Sequence, residues 1–392
     1  MPNSNLSKAK NAKNDEFYTQ YIDIQKEVNA YLEYNPDVFK DKTILLPCDD
    51  PEWSNFTRFF AQNFERFKIK KLISTSFASD SKNFKYPYQL TMFEMNSPQF
   101  DKTKTKSHGK IFTLTKDNDK SGRIDVNDLK WEYLKGDGDF RSDEVKKLRD
   151  EADIIITNPP FSIYREFIAW LFEKEKKFLL IANKGSVTYK EIFPLIMENK
   201  MWSGKTEWSG GLWFETKNEE DVDKVINGVN MKNTSSAWFT NLDHGRRHEP
   251  LDLMTMADNI KFSKHKEIRE VGYQKYDNYD AIEVPFTDAI PKDFDGIMGV
   301  PPTFLEKYNP EQFEILGSTQ RGCHDLVPDT KKYDDYWEID YKTGKKTKSS
   351  GSKTNENANL SKKDGKHNYF INEAGHIVQS AYSRIFIRFR RK

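Results

Sequence analysis

Cysteine is scarce in this chain, which has only Cys48 and Cys323 among 392 residues. Two cysteines cannot build a disulfide framework or a cysteine-based metal cluster, and such low usage fits a reducing compartment. The seven histidines show no HExxH or other metal-ligand spacing. The sequence therefore predicts a protein that uses neither disulfides nor a bound metal.

Long apolar runs are lacking as well. No stretch of about 18 apolar residues occurs, the mean hydropathy is -0.84, and residues 1–4 carry no apolar signal region. We therefore expect a soluble, cytoplasmic protein that is neither exported nor inserted in a membrane.

An excess of one charge sign is missing, because 62 basic residues face 61 acidic ones. This balance argues against a uniformly cationic nucleic-acid binder. The end of the chain is a local exception, since basic and apolar residues alternate there. This segment is either a strand whose arginines face phosphate or a solvated edge strand blunted by charge; the arginines concerned are Arg384, Arg388, Arg390 and Arg391.

A glycine-rich dinucleotide fingerprint is also absent, yet strand and helix patterns alternate along the first half of the chain. The patterns predict strands at 43–47, 71–75, 154–157, 177–182 and 235–240, and helices at 15–32, 56–67 and 163–172, the second capped by Ser54 or Asn55. Strand–helix–strand alternation implies right-handed crossovers and a mainly parallel, doubly wound α/β sheet.

The composition changes along the chain and suggests boundaries. Residues 1–13 are polar and predict a mobile arm, and periodicity fails across an insertion at about 78–133, with a small hairpin near 110–115. Clean alternation ends near residue 245, where we place a domain boundary. Residues 329–367 are rich in Lys, Asp, Ser and Asn, which predicts a disordered insertion or a flexible loop.

The tetrapeptide Asn158-Pro159-Pro160-Phe161 directly follows the apolar strand at 154–157. Two prolines end that strand and fix a rigid turn at its carboxyl end, where open α/β sheets bind ligands. The alternative is an ordinary strand-ending turn. A position between strand and helix favours the catalytic interpretation, whereas the second Pro-Pro pair, at 301–302, lacks the Asn and the aromatic residue and is interpreted as structural.

This turn suits the methylation of an amine on an aromatic ring. Such a nitrogen is a poor nucleophile because its lone pair is delocalised into the ring. The Asn158 side-chain oxygen and the Pro159 carbonyl can accept hydrogen bonds from both N–H groups of the amine and so free the lone pair of its nitrogen. Pro160 keeps the turn rigid. Phe161 can stack on a base rotated out of a duplex. No general base, thiol or metal is needed if the electrophile is a methyl sulfonium.

A methyl donor needs a site at the ends of the first strands. Cys48, Asp49 and Asp50 follow the first strand. The two carboxylates can meet a cationic amino-acid group, or they can simply cap the next helix.

Two further segments are candidates for the same site. In the loop 136–140, Asp139 can accept from an adenine amine and Phe140 can pack on the ring, although Gly-Asp-Gly-Asp is also an ordinary turn. Phe17, Tyr18 and Thr19 precede the first helix and can close the pocket from the other side.

These motifs resemble, in content and in order, those of the EcoRI-type adenine-specific DNA methyltransferases, which use S-adenosylmethionine. The resemblance covers most of residues 14–320. The segments that carry it are 15–20, 48–51, 54–56, 138–141, 158–161, 238–245, 279–285, 295–301 and 307–310.

The resemblance implies a Rossmann-like methyltransferase domain over 14–245 and a C-terminal α+β DNA-recognition region over 246–392. It implies that Asn158 to Phe161 are catalytic and that the donor is bound by Phe17, Tyr18, Thr19, Cys48, Asp49, Asp50, Asp139 and Phe140, with Asn158 shared by both sites.

The function so implied is site-specific methylation of adenine N6 in double-stranded DNA, within a restriction–modification system or as an orphan enzyme. A separate cognate endonuclease is a candidate partner, the protein would be a monomer or weak dimer, and it would associate with the nucleoid. The alternatives are an RNA adenine or protein glutamine methyltransferase, and an inactive DNA-binding regulator on the same fold.

Overall fold

The structure is a computed structural model that describes residues 18–52, 54–78, 98–116, 124, 130–216, 222–319, 323, 330–348, 356–362, 364–372 and 374–390. The chain divides into two compact units. The first comprises Met1–Lys184 and Trp202–Gly245, and the second comprises Gly185–Met201 and Arg246–Lys392. Among the described residues, no helix is both long enough and apolar enough to span a membrane.

The first unit contains most of the alternating strands and helices. In chain order its elements are β1 (Tyr18–Thr19), α1 (Tyr21–Tyr34), β2 (Thr43–Leu46), α2 (Asn55–Gln62), β3 (Lys71–Thr75), β4 (Lys110–Leu114), β5 (Trp131–Tyr133), α3 (Asp143–Glu151), β6 (Ile154–Thr157), α4 (Tyr164–Phe172), β7 (Lys177–Asn183), β8 (Trp202–Ser203), β9 (Leu212–Glu215), β10 (Lys224–Ile226), β11 (Val229–Thr234) and β12 (Ser236–Thr240).

An eight-stranded sheet forms the centre of this unit, with strand order β5-β4-β3-β2-β6-β7-β12-β8. The pairings β2–β3, β2–β6 and β6–β7 are parallel. The other pairings, which add β4, β5, β12 and β8 at the two sides, are antiparallel. The sheet is therefore mixed rather than mainly parallel, and its parallel part is the four-strand segment β3-β2-β6-β7.

The central strands form where the sequence offers short, β-branched or aliphatic runs. Every residue of β2 and β6 is buried, as expected for parallel strands covered on both faces. The helix α2 begins where the Ser54 hydroxyl accepts from the Phe56 amide at 3.1 Å, which satisfies one of the unpaired N–H groups of its first turn. Its phenylalanines then pack into the core beside the sheet.

A second, four-stranded sheet of the first unit has the order β1-β9-β11-β10 and is antiparallel throughout. It was not predicted. The strand β1 pairs with β9 through Tyr18↔Glu215 and Thr19↔Phe214. The Asn55 side chain donates to the Thr19 carbonyl at 2.8 Å, which attaches this sheet to the start of α2.

The second unit consists mainly of antiparallel strands. Its elements are α5 (Phe193–Met197), α6 (Met256–Phe262), α7 (Lys266–Val271), β13 (Ala281–Glu283), β14 (Ile297–Val300), β15 (Phe313–Ser318), β16 (Tyr336–Ile339), β17 (Lys346–Lys348), β18 (Asn359–Leu360), β19 (Tyr369–Asn372), β20 (Ile377–Ser380) and β21 (Ile385–Phe389). Short 3₁₀ segments of both units lie at Phe161–Ile163, Lys184–Thr188, Gly245–His248, Thr287–Ala289 and Pro302–Lys307.

Two sheets organise this unit. One has the order β13-β14-β21-β15 and the other the order β17-β16-β19-β20-β18. The strand β21 pairs with both β14 and β15, so the interpretation of the chain end as an edge strand is wrong. Apolar residues on β21 fill an interior position, since Ile385, Phe386 and Ile387 are all buried.

The stretch 329–367 contains strands where the sequence suggested none. The described part includes β16, β17 and β18. Aromatic residues contribute to the buried face together with Ile339 and Leu360, since Tyr333 and Tyr336 are 3% and 4% exposed. Tyr336 packs edge-on against Phe370 at 5.7 Å. Flexibility of the rest of this stretch stays a prediction.

Most strands and helices of the first unit lie where the sequence predicted them. The first helix begins at Tyr21, after a two-residue strand, and α2 ends at Gln62 instead of Phe67. The predicted hairpin near 110–115 corresponds to β4, which pairs with β5 and also with β3. This part of the insertion at 78–133 therefore extends the main sheet.

Candidate active site

The turn Asn158–Phe161 leaves β6 at the carboxyl end of the parallel segment. Asn158, Pro160 and Phe161 are half-buried and Pro159 is buried. Pro160 is extended, with φ −57° and ψ 124°, and its carbonyl accepts from the Ile163 amide at 3.2 Å. The prolines thus end the strand, and one 3₁₀ turn then leads into α4.

Asp49 lies next to this turn and is 6% exposed. One carboxylate oxygen accepts from the Thr157 hydroxyl at 2.6 Å, and the other accepts from the Ser54 hydroxyl at 2.6 Å. Burial raises the pKa of Asp49 to about 6, against the opposing effect of these two hydrogen bonds. Both oxygens are therefore used inside the protein, and Asp49 joins the end of β2 to the residue before Asn158.

Further hydrogen bonds hold the ends of β2 and β3 together. The Asp49 amide donates to the Thr75 carbonyl at 3.0 Å, and the Ser74 hydroxyl donates to the Asp49 carbonyl. The Thr75 hydroxyl donates to the Pro47 carbonyl at 3.1 Å. The carboxyl ends of three parallel strands, β3, β2 and β6, are consequently fixed around Asp49.

The other acids of this loop are closer to the surface. The Asp50 side chain accepts from the Glu52 amide at 2.8 Å, and Cys48 is half-buried. Lys110 is buried, forms an ion pair with Glu52, and lies 3.9 Å from Asp50. Its ammonium also lies 4.7 Å from the centroid of the Trp131 ring. Lys110 thereby offsets part of the negative charge of the loop.

Glycine brings the loop 136–140 against the end of β3. Gly138 has φ +82°, and a Cβ built there would lie 2.1 Å from the Ser76 carbonyl oxygen. Gly109 is constrained by space alone, since a Cβ there would lie 2.4 Å from the same oxygen. Backbone hydrogen bonds from Ala78 to Asp137 and from Gly109 to Gly136 complete the contact.

Asp139 faces outward from this loop but already has a cationic partner. Its carboxylate accepts from the Arg141 side chain at 2.6 and 2.9 Å and from the Arg141 amide at 2.8 Å. Burial raises the pKa of Asp139, yet the hydrogen bonds and charge of Arg141 lower it below its usual value. Arg141 also pairs with Glu166 of α4 at 3.0 Å, so this ion-pair group connects the loop to the helix that follows the turn.

Phe140 is placed differently from the expectation that it packs on a ligand ring. It is 4% exposed, and its ring lies edge-on at 5.1 Å from Phe167 and 5.5 Å from Trp170. It therefore contributes to the core under α4, and of the two predicted contacts of this loop only Asp139 remains partly accessible.

The N-terminal motif supplies one buried polar atom that suits a ligand. The Thr19 hydroxyl is buried and has no hydrogen-bond partner among the residues that the structure describes. Phe17 lies outside the described residues, and Tyr18 is placed only through its backbone pairing with Glu215. A polar ligand at the start of α2 would satisfy the Thr19 hydroxyl, so this part of the motif fits a bound polar group.

The structure thus brings together Asn158, Asp49, Asp50 and the loop carrying Asp139 around the carboxyl ends of the parallel strands. Sequence reasoning missed Thr157, Ser76 and Gly109. The glycine was an isolated residue before a strand, and a close backbone approach is the usual reason for such a residue. No signal in the sequence marked Thr157 as the partner of Asp49.

The C-terminal arginines differ in their surroundings. Arg384 is 8% exposed and makes a bidentate ion pair with buried Glu283, so the expectation that it faces phosphate is not met. Arg388 is partly exposed and pairs with Glu314, while the Arg390 side chain donates to the Pro310 carbonyl. Arg391 lies outside the described residues. Within the described chain, no group of three His, Cys, Asp or Glu side chains could hold a metal ion.

Known proteins share sequence with this chain over most of its length. The model of the family described as adenine-specific methyltransferase EcoRI matches residues 5–390. The chain is 40% identical over 325 residues to the type II methyltransferase M.EcoRI of Escherichia coli, covering 80% of this chain and 89% of that protein.

Two mycoplasma proteins are also similar. The type II methyltransferase M.MpnI of Mycoplasma pneumoniae is 34% identical over 79% of this chain and 84% of its own length. The type II methyltransferase M.MgeORF184P of Mycoplasma genitalium is 35% identical over 79% and 85%. No solved structure matches the chain. The chain therefore belongs to the adenine-specific methyltransferase EcoRI family and is a DNA methyltransferase of the restriction–modification type.

Proposed function

We propose that this protein transfers a methyl group from S-adenosylmethionine to N6 of an adenine that is rotated out of double-stranded DNA. The observation that carries the proposal is the location of Asn158–Phe161. This turn begins at the end of a central parallel strand, directly beside the acidic loop that follows β2. Membership of an adenine-specific family supports the same choice of base.

In this proposal the turn prepares the amine for attack. The Asn158 side-chain oxygen and the Pro159 carbonyl accept hydrogen bonds from the two N–H groups of the exocyclic amine. The Phe161 ring stacks on the base. Asn158 and Phe161 are half-buried as residues, although the Asn158 Oδ1 atom is itself buried, and the backbone of the turn is fixed by prolines and by α4. Asp49 acts indirectly, because its hydrogen bond from Thr157 fixes the start of the turn.

The donor supplies an electrophilic methyl group, so the protein needs no residue that activates it. Asp50 offers a carboxylate for the amino-acid group of the donor, and Thr19 offers a buried hydroxyl. Asp139 would accept from the adenine amine of the donor in addition to its hydrogen bonds from Arg141. Asp49 uses both carboxylate oxygens inside the protein, and its proposed role is therefore to position the site. Phe17, Tyr18 and Cys48 complete the proposed set, and Phe140 supports it from the core.

The two parts of the chain take different roles in this proposal. Residues 14–245 form a Rossmann-like methyltransferase domain around β3-β2-β6-β7, and residues 246–392 recognise the DNA sequence. Arg388, Arg390 and Arg391 are the C-terminal arginines proposed to contact phosphate. The protein would act as a monomer or weak dimer in the cytoplasm, and any cognate endonuclease would act separately.

The test is methyl transfer in vitro and in cells. The purified protein, mixed with S-adenosylmethionine and genomic DNA from a host that lacks it, should produce N6-methyladenine at one recurrent sequence motif. Asn158→Ala should abolish the transfer while DNA binding stays within about threefold, because the lost acceptor acts only on the reacting amine.

The matched control is Asn35→Ala, since Asn35 also precedes a proline but is exposed at the end of α1. This control should methylate DNA like the wild type. Full turnover by Asn158→Ala would contradict the catalytic role of the turn. Methylation of RNA or of protein glutamine, with none of DNA, would favour the alternative substrates, and donor and DNA binding without any transfer would favour an inactive regulator.

A further inference from the structure

The hairpin formed by β16 and β17 is a lysine-rich segment of the second unit. We call residues 336–348 the lysine hairpin. Its turn and second strand contain Lys342, Lys345, Lys346 and Lys348, whereas Asp340 is the only acid after Ile339. Residues 341–347 are all exposed.

The geometry of the hairpin is well defined. Trp337 pairs with Lys348 and Ile339 pairs with Lys346 across the two strands. The Asp340 carboxylate accepts from the Thr343 amide at 2.7 Å and from the Lys342 amide at 3.1 Å, and Gly344 adopts φ +67°. The Asp340 side chain is therefore used to shape the turn, and the other acid of the hairpin, Glu338, accepts from the Asn368 side chain at 2.9 Å.

Aromatic rings lie among the lysines. The Lys346 ammonium lies 4.4 Å from the centroid of Trp337, and the Lys342 ammonium lies 5.6 Å from that of Tyr341. Tyr341 is 39% exposed. Such pairs hold each ammonium near the protein surface without neutralising it, and they put flat apolar rings beside the cations.

The two faces of this sheet differ. Tyr336 and Val378 are 4% and 0% exposed. Tyr336 pairs with Asn372, and Phe370, two residues from Asn372, pairs with Val378, so both lie on the same face. Trp337, Ile371 and Ile377 follow one another across the opposite face, where Ile377 is 39% exposed. The face of Tyr336 thus belongs to the core, whereas the face of Trp337 contains both buried Ile339 and partly exposed Ile377.

From these observations we propose that the lysine hairpin contacts the sugar–phosphate backbone of the DNA. Exposed lysines bind phosphates as point charges and release counterions. The partner must be a polyanion, and the substrate of this protein is one. The inference rests on the proposed function, because it takes the DNA substrate as the partner.

A simpler explanation is that the lysines protect β17 as an edge strand from pairing with other chains. That explanation accounts for Lys346 and Lys348, which lie on the edge strand. It does not account for Lys342 and Lys345, which lie in the turn. The two explanations predict different salt dependence of DNA binding.

The experiment compares a triple variant, Lys342→Gln/Lys345→Gln/Lys346→Gln, with the full-length wild type. Dissociation constants for two short duplexes of unrelated sequence are measured by fluorescence anisotropy between about 50 and 200 mM salt. Each lost phosphate contact should reduce the slope of log K against log salt by about 0.9, so the triple variant should lose up to about 2.7. The reduction should be equal for both duplexes, because backbone contacts carry no sequence information.

Two further variants keep the test decisive. The triple Lys→Arg variant retains the charge and should keep the wild-type slope. Lys42→Gln/Lys70→Gln/Lys147→Gln removes the same charge from exposed positions of the first unit and should also leave the slope unchanged. A slope reduced by less than about 0.9 in the Gln variant of the hairpin, or reduced equally in the Arg variant or in the first-unit control, would overturn the proposal.

Two outcomes separate a wrong role for the lysine hairpin from a wrong reaction. If the wild type methylates adenine in DNA but the hairpin variant keeps its slope, only the assignment of the hairpin is wrong. If the wild type binds DNA with the expected dependence on the lysines but methylates no adenine, the surface stands and the reaction is wrong.

Discussion

The carboxylate of Asp49 accepts hydrogen bonds from Ser54 and Thr157, each at 2.6 Å, while its side chain is 6% exposed. These contacts join three elements, because Ser54 caps α2 and Thr157 ends β6. An acid at this position is therefore part of the framework beneath the catalytic turn. Its ionisation should affect both stability and turnover.

The stability prediction follows from the pKa of Asp49, which burial raises to about 6 from an ordinary 3.8. A raised carboxyl pKa means that the folded protein binds the proton more tightly than the unfolded chain. The contribution of Asp49 is thus most favourable below pH 3.8 and is lost as the pH rises through 6. The free energy of unfolding of the wild type minus that of Asp49→Asn should therefore decrease by about 2 kcal/mol as the pH is raised from 4.5 to 7.5.

Denaturant unfolding of both proteins over this pH range measures the difference directly. Asp50→Asn serves as the matched control, because Asp50 is only half-buried, and it should not remove this pH dependence. Asp49→Asn should also lower kcat more than it weakens donor binding, because the role assigned to Asp49 is positioning. A pure loss of donor affinity with unchanged kcat would contradict that role.

At the scale of elements, the loop 136–140 depends on glycine at one position and not at another. Gly138 has φ +82° and no room for a Cβ beside the Ser76 carbonyl, whereas a Cβ at Gly136 would meet only the Glu144 carboxylate at 3.9 Å. Gly138→Ala should therefore push the loop away from the end of β3 and shift Asp139.

We expect Gly138→Ala to lower the free energy of unfolding by about 1–3 kcal/mol and to weaken binding of S-adenosylmethionine. Gly136→Ala should change both by little. Calorimetric titration with the donor and thermal unfolding of the two variants test this pair. Equal donor affinity for both variants would show that the loop does not form part of the donor site.

The elements that the sequence predicted well are those fixed by local pattern. Residues 43–46 and 154–157 are short apolar runs closed by proline or a polar turn, and both form buried strands as predicted. The sheet β1-β9-β11-β10 was missed because its first pairing joins Thr19 to Phe214. A pairing over such a distance in the chain leaves no local periodicity.

The candidate site shows the same division. The position of Asn158–Phe161 follows from local sequence, since the prolines must end β6. The hydrogen bond of Asp49 with Thr157 spans 108 positions, and no motif marks it. Phe140 looked like a ligand contact because it follows Asp139, but Phe167 and Trp170 of α4 draw it into the core.

At the scale of the whole molecule, charge is distributed unevenly although the net charge is only +1. Some basic side chains of the second unit are largely buried in ion pairs with its own carboxylates, and others are exposed to solvent. Arg384 is buried on Glu283, where Tyr276 also donates to the carboxylate. The lysine hairpin is exposed. Position in the fold, and not the composition of the chain, decides which of these cations can meet DNA.

This distinction gives a prediction for Arg388 of β21 and for Arg384, which directly precedes that strand. Arg384→Met leaves the Glu283 carboxylate buried without its cationic partner, so it should reduce the free energy of unfolding by about 3–5 kcal/mol. Arg388→Met removes a partner of Glu314 at a position where the two side chains are 41% and 29% exposed. That change should cost about 1 kcal/mol or less.

The same two variants separate folding from DNA contact. Arg388→Met should keep its stability and lose about one phosphate contact. The slope of log K against log salt for DNA binding should therefore fall by about 0.9. In Arg384→Met, any protein that remains folded should keep the wild-type slope, because a guanidinium buried against Glu283 contacts no phosphate and so releases no counterion. Denaturant unfolding and anisotropy titrations on each variant measure the two quantities. A reduced slope in folded Arg384→Met would mean that this arginine leaves Glu283 when DNA binds, and the assignment of Arg384 to the core of the second unit would then be wrong.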